Sequence, residues 1–287
     1  MKLIFALLAL IATNEARQIE IQKCEGVTIG NINHDKEVLK KINESPYQLV
    51  IDYDTQTLFF SYTANDDLEE VFRSAYLNLK TNDYGIIHGI SGGFANTVDR
   101  KSHQIYLGGR EGIYMFDFET KTAIDARITD KNIWQLYYGN DSIYFTSYPD
   151  EKLHRYKDGT VEIVPELAET QILFAAVDDN QNIYFSNATG LFCYKKTKDR
   201  VFPMGNYHPN CFTSDIHGKI FFSTAEGIYT INRENNMIET LARIPNLYGV
   251  VIESSGNIIY ANQEAIVRLT PSKIKCYVEH ENKIEDV

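Results

Sequence analysis

One hydrophobic phrase recurs six times along the chain. A short run of aromatic and β-branched residues is followed by a few small or polar residues, then by a second run. The first runs are Leu58-Phe59-Phe60, Ile105-Tyr106-Leu107, Ile143-Tyr144-Phe145, Ile183-Tyr184-Phe185, Ile220-Phe221-Phe222 and Ile258-Ile259-Tyr260. Second runs such as Gly112-Ile113-Tyr114-Met115-Phe116 and Gly190-Leu191-Phe192-Cys193-Tyr194 follow five of them at short range. The middle residues of the first runs lie 47, 38, 40, 37 and 38 positions apart. A period near 40 with strand-only content predicts an all-β fold, a β-propeller.

Each unit reads as four strands. In the fourth, the apolar run Ile172 to Ala176 predicts an innermost strand buried on both faces. Asp178-Asp179-Asn180-Gln181 supplies a turn of residues that tolerate the left-handed region. Ile183 to Phe185, Leu191 to Tyr194 and Val201-Phe202 follow as the outer strands. The first unit departs from the pattern, with a longer link before Val71-Phe72 and room for a short helix over Asp66 to Ala75. At the N-terminus, Gly26 to Ile29 and Val38 to Ile42 repeat the pattern of Gly227 to Ile231 and Leu241 to Ile244. Strands from the start of the chain are therefore expected to help close the ring. The C-terminus offers its own candidates, Ile266 to Leu269 and Ile274 to Tyr277. Six blades with extra closing strands is the expected count, with seven, one incomplete, as the alternative.

The first residues change the compartment. Lys2 precedes the apolar run Leu3 to Ala12, and Ala16 offers a small-residue cleavage point. The run is too short to span a bilayer, so residues 1–16 read as a secretion signal and residues 17–287 as a single exported domain. In an oxidising compartment the four cysteines, Cys24, Cys193, Cys211 and Cys276, suggest two disulfides. Three pairings are open. Sequence proximity favours Cys193–Cys211, and the meeting of chain ends in a ring favours Cys24–Cys276. Export also makes the sequons at Asn140 and Asn187 usable as glycosylation sites, more so than Asn43, whose Ser45 is followed by Pro46.

Composition narrows the partners. The formal net charge is −11, which argues against nucleic acid and against an anionic membrane surface. A monomer is expected. The chain shows no nucleophile elbow, phosphate loop, zinc-protease motif or dinucleotide fingerprint. Seven histidines are scattered, of which His88 and His208 precede innermost strands. Propellers of the gluconolactonase and paraoxonase kind hold calcium with Glu, Asn and Asp along their inner strands. Here the comparable positions read Asn96, Gln135, Ala175, Thr213 and Val250, a poor cage for a hard cation that wants several oxygens, carboxylates among them. No cofactor or metal is expected.

What converges is aromatic. The links that lead into the inner strands and those after the second strands should share one face of the disc. They carry Tyr47, Phe94, Trp134, Tyr207 with His208 beside it, Phe212, Tyr248, Tyr62 and Tyr148, with Arg110 nearby. Phe94, Trp134, Tyr148, Tyr207, Tyr248, His208 and Arg110 are the candidate ligand-binding residues. A mouth rimmed by aromatics with a few polar groups suits a flat conjugated ligand.

In its leader, Met1 to Arg17, its acidic mature chain, its size and strand phrases such as Gly190-Leu191-Phe192-Cys193-Tyr194, the chain resembles the ommochrome-binding proteins of moths and related insects. The resemblance runs the full length. It implies a non-enzymatic haemolymph carrier of an ommatin-type, tryptophan-derived chromophore, and carries over no residue motif for the pigment site. Two other classes stay open beside it: a calcium-dependent lactonase or esterase, and an extracellular protein-interaction disc.

Overall fold

The computed structural model describes residues 26–42, 44–66 and 69–273. The proposed leader, Cys24, Cys276, Asn43 and the run Ile274 to Tyr277 lie outside the described residues. Those described form six antiparallel sheets and almost no helix. The chain begins with β1 (Val27–Ile29) and β2 (Ile32–Lys41). Blade 1 is β3 (Pro46–Asp52), β4 (Thr57–Asp66), β5 (Glu69–Asn78) and β6 (Tyr84–Ile86). Blade 2 is β7 (Ala95–Asp99), β8 (Gln104–Gly109), β9 (Gly112–Asp117) and β10 (Thr122–Asp125). Blade 3 is β11 (Asn132–Gly139), β12 (Ser142–Tyr148), β13 (Leu153–Lys157) and β14 (Thr160–Ile163). Blade 4 is β15 (Phe174–Val177), β16 (Ile183–Asn187), β17 (Gly190–Lys195) and β18 (Arg200–Gly205). Blade 5 is β19 (Cys211–Ser214), β20 (Ile220–Thr224), β21 (Gly227–Asn232) and β22 (Met237–Arg243). Blade 6 takes β23 (Leu247–Ile252), β24 (Ile258–Asn262) and β25 (Ala265–Pro271) from the end of the chain.

The protein is thus a six-bladed β-propeller. The start of the chain closes the ring, as expected, but not as a repeated half-unit. β2 is the fourth strand of blade 6, paired with β25 from His34↔Pro271 to Lys41↔Ala265. β1 is not a third strand. It folds back outside β2 through the positive-φ Gly30, pairing Val27 with His34. The expected helix over Asp66 to Ala75 is also corrected. β4 and β5 form one long hairpin that pairs Thr63 with Phe72 and Ala64 with Val71. Val71, Phe72 and Tyr76 are β-formers, and cross-strand pairing outweighs the weak helical signal of the polar stretch before them.

Each first run of the repeat is a second strand, buried on both faces between neighbouring blades. Phe59, Leu107, Phe145, Phe185, Phe222 and Ile259 are all at 1% exposure or less. The blades meet closely enough that a Cβ on Gly108 of β8 would lie 2.5 Å from the Ile133 side chain of β11. Glycine is the residue that permits this approach.

The cysteine expectation fails for the pair the structure describes. Cys193 and Cys211 are free and buried. Cys193 sits on β17, the third strand out from the axis of blade 4, whereas Cys211 heads the innermost strand of blade 5. Two strand spacings of about 4.8 Å separate a third strand from an inner one, and a disulfide needs Cα atoms within about 7 Å. The Cys211 thiol instead lies 3.7 Å from the Val250 carbonyl oxygen. Burial pushes both thiols up, Cys193 to about 12 and Cys211 to about 11. The two sequons also differ. The Asn140 amide donates to the Asp178 carbonyl at 2.7 Å, bridging blades 3 and 4. Asn187 uses only its oxygen, accepting from the Thr189 backbone and hydroxyl, so of these two sequons it is the one whose nitrogen could take a glycan without losing such a bond.

One polar cluster anchors the link between β12 and β13. Asp150 accepts from the Ser147 hydroxyl at 2.6 Å and from Lys131 at 3.0 Å. Its other neighbour is His154, buried, stacked on Phe145 at 4.9 Å, with Nε2 at 3.6 Å from the carboxylate. Burial opposes ionisation of Asp150, but the Ser147 and Lys131 hydrogen bonds hold its pKa below the ordinary value. Burial lowers the His154 pKa, and the Lys131 charge adds to that against the pull of Asp150.

Two outcomes follow. Alkylation of the unfolded, unreduced protein should label Cys193 and Cys211, while the native protein resists thiol reagents. Recovery of a Cys193–Cys211 peptide pair would contradict the fold. For His154, the unfolded chain binds its proton at a higher pH than the folded one. The folded protein should therefore lose stability as pH falls below about 6.5, until the folded pKa is passed. Melting temperatures at pH 7.5 and 5.5 read this, and the difference should shrink in His154→Asn.

Candidate functional site

The two faces of the disc carry different chemistry. One face bears the links that lead into the inner strands together with the second-to-third strand links. Aromatic rings form an arc across it. Tyr248 of blade 6 meets Tyr47 of blade 1 at 5.2 Å, and Tyr47 meets Phe94 of blade 2 at 5.7 Å. Phe94 meets Trp134 of blade 3 at 4.8 Å, and Trp134 meets Phe174 of blade 4 at 6.5 Å. Phe72, from the long hairpin of blade 1, inserts against Phe94 at 4.5 Å.

Local backbone irregularities aim these rings. Trp134 is the unpaired residue of a β-bulge, between the pairs Ile133↔Ser147 and Gln135↔Thr146. Tyr248 occupies the same kind of bulge, between Leu247↔Asn262 and Gly249↔Ala261. A bulge inserts one extra residue and re-aims its side chain out of the strict alternation. Blade 1 has a related irregularity between Tyr47 and Val50, with Gln48 at φ 50°.

Two clefts open on either side of Trp134 and Tyr148. One, of about 220 Å³, is lined by Phe72, Gly92, Phe94, Arg110, Asn132 and Ile133 beside the two shared rings. The other, of about 150 Å³, adds Thr146, Ser147, Glu151, Ile172 and Leu173. Tyr148 is 59% exposed, the exception in a protein whose strand tyrosines are mostly buried. The indole nitrogen of Trp134 is buried and has no hydrogen-bond partner. A buried donor left unpaired costs about 1–3 kcal/mol, so an acceptor brought to this N–H would be stabilising.

Of the seven candidate residues, the structure brings Phe94, Trp134, Tyr148 and Arg110 to these clefts. Tyr248 joins the arc through Tyr47. Tyr207 and His208 do not join it. The Tyr207 ring packs against Phe222 and Tyr229 at 5.8 and 5.2 Å, inside the ring of blades. His208 is exposed, with its Nε2 3.0 Å from the Asn206 side-chain oxygen. Tyr62 is buried in β4, and Phe212 faces the opposite end of the channel. His88 is exposed, its carbonyl accepting from Ala123. Phe72 and Phe174 escaped sequence reasoning. A hairpin signal in the first unit would have placed Phe72.

Side-chain amides tie the inner strands together around the channel. Gln48 donates to the Asn210 carbonyl at 3.1 Å, and Asn96 donates to the Gln48 carbonyl at 3.0 Å. Gln135 donates to the Ala175 carbonyl and accepts from the Ala175 amide. At the far end Arg100, leaving blade 2, reaches across to blade 5, donating to the Ser214 and Asp215 carbonyls at 2.5 and 2.7 Å. A cavity of about 280 Å³ lies there, lined by inner-strand residues such as Leu49, Asn96, Leu136 and Phe212 as well as by Asp99, Arg100 and Asp179. The inner-strand positions compared with calcium propellers thus hold two side-chain amides, one hydroxyl and two apolar side chains, with no carboxylate among them; Gln135 is bonded through both its amide atoms, whereas the Asn96 oxygen is buried without a partner. They do not fit a calcium cage. Among the described residues no three His, Cys, Asp or Glu side chains cluster for a metal ion. No helix of the described residues is long and apolar enough to cross a membrane.

Comparison with known proteins separates the fold from the family. No family model matches the chain. Among solved structures, a gluconolactonase from Xanthomonas campestris superposes with a TM-score of 0.65 at 14% identity, over 88% of this chain and 97% of that one. A second, putative gluconolactonase gives 0.63 at 12% identity, over 86% of this chain and 94% of its own. A streptogramin B lyase gives 0.54 at 16% identity, over 84% and 98% of the two chains. At such identities these likenesses speak to the propeller fold alone. The ommochrome-binding protein of Manduca sexta is 35% identical over 273 residues, 94% of this chain and 98% of that protein. Identity at that level over nearly the whole of both chains places this protein in the ommochrome-binding protein family.

Proposed function

We propose that the protein is a secreted, non-enzymatic carrier that binds a flat conjugated pigment of the ommatin type on its aromatic face, in haemolymph. The observation that carries this reading is the Trp134–Tyr148 partition, where an exposed phenol ring stands beside an indole with an unpartnered N–H. The two clefts beside it measure about 220 and 150 Å³. Each falls short of the roughly 300–1,000 Å³ usual for a ligand pocket, so a multi-ring ligand would span both and stack on the partition. Such a ligand would bury the exposed Tyr148 ring and add ring–ring attraction of about 0.5–1.5 kcal/mol per pair. A carbonyl or ring nitrogen of the ligand would accept from the Trp134 N–H. The name of the Manduca sexta relative supports the choice of pigment class.

Two measurements test the reading. Protein purified from its native fluid should carry visible absorption. In the recombinant protein, titration with an ommatin should quench the emission of Trp134, the only tryptophan. Trp134→Ala should weaken binding by roughly 1–3 kcal/mol, the usual loss for a stacking platform. Because Trp134 also packs on Phe94, the variant's fold must be checked by circular dichroism. Unchanged affinity in folded Trp134→Ala would remove this groove from the site.

A further inference from the structure

We propose that Arg110 is the charge-recognition residue of this groove, and that the ligand it selects is an acidic chromophore whose carboxylate docks on the Arg110 guanidinium while its rings stack at Trp134. The proposal rests on the reading above and goes beyond it by assigning the ligand's charge and its orientation.

The argument begins with the charges around the partition. Lys131 is paired with Asp150 at 3.0 Å, so that cation is already matched. Glu151 lies in the smaller cleft, on the far side of Trp134 and Tyr148. Arg110 lies in the larger cleft, exposed, and no carboxylate of the described residues pairs with it. The protein carries 39 acidic residues and a net charge of −11, yet none of the described carboxylates pairs with this arginine beside the aromatic cleft. The residues lining its cleft include no acidic side chain.

Arg110 is also held in place. It occupies the tight link between β8 and β9, where its backbone N–H donates to the Ser91 carbonyl at 2.8 Å. Its stem lies over Gly92, at φ 60°. A Cβ built on Gly92 would stand 2.7 Å from Arg110 Cγ and 2.9 Å from Nε. The glycine thus makes a cradle that only a residue without a side chain can provide. A guanidinium is planar, stays charged at every physiological pH and offers paired donors that match a carboxylate. Fixing its stem reduces the side-chain entropy lost when an anion binds. The opposed positions of Arg110 and Glu151 across the partition then set a polarity. The acidic end of the ligand faces blade 2, and its uncharged or amine-bearing end faces blade 4.

The test uses the full chain and two probes, a carboxylated phenoxazinone and its methyl ester, titrated by Trp134 quenching at low and high salt. Wild type should bind the acid at least tenfold more tightly than the ester, with the preference shrinking as salt rises. Arg110→Gln should abolish the preference, weakening the acid at least tenfold more than the ester. Arg110→Lys should restore part of it, as a point charge without the paired donors. Gly92→Ala keeps the charge but evicts the stem from its cradle, and should lose most of the preference too. Equal binding of acid and ester to wild type would overturn the assignment of Arg110 while leaving the pigment groove standing. Binding of neither probe would overturn both.

Discussion

The ring is held shut by one strand pairing, β2 on β25, and the rest of the structure depends on it. Blade 6 takes only three strands from the end of the chain, and the fourth comes from the other end, more than 220 residues away in sequence. An ion-pair cluster reinforces the seam. Arg268 of β25 donates to Glu37 of β2 at 3.0 Å and to Glu253, beyond β23, with two bonds of 2.9 Å. Closure removes the free edges that an open stack of sheets would expose. It also fixes the distances across the axis. Only in a closed ring can Gln48 reach Asn210, or Arg100 reach from blade 2 to the diametrically placed blade 5.

That closure also shapes the two ends of the channel differently. Six inner strands converge on a narrow axis, and their backbone groups need partners there. Side-chain amides of Gln48, Asn96 and Gln135 supply some of them. The ends are free to differ. One is polar, with turn carboxylates and Arg100. The other is aromatic, and its surface is corrugated by clefts between neighbouring blades. The proposed groove for a flat, carboxylated ligand lies at the second.

Much of this was legible in the sequence, for a definite reason. The second strands of all six blades are buried on both faces, so they appear as unbroken apolar triplets such as Ile143-Tyr144-Phe145. Turn chemistry at residues such as Asp178 to Gln181 marks their boundaries. Phe94, Trp134, Tyr148 and Arg110 could be assigned to one face because links between strands alternate regularly between the two ends of the disc. The errors arose where that regularity breaks. Phe212, in β19, points by its register to the opposite end, since a shift of one residue reverses a strand side chain, while Tyr207 packs between blades on Phe222 and Tyr229. Phe72 was hidden by a hairpin longer than its counterparts. The Cys193–Cys211 pairing followed sequence distance, which says little about radial distance when successive strands step outward from the axis.

The bulge at Trp134 shows why function can be written over such a fold without disturbing it. In a regular inner strand every side chain is committed, either to the neighbouring blade or to the axis. The extra residue of a bulge has no partner across the ladder, so its identity is released from the packing pattern that the repeat imposes. Trp134 and Tyr248 are both such residues, and both end in the aromatic arc. A lactonase and a lyase share the propeller with this chain at 12–16% identity, which is what a packing pattern alone demands. The proposed pigment groove lies where the pattern is suspended: at the bulges, at the link that presents Tyr148, and at the glycine that seats Arg110.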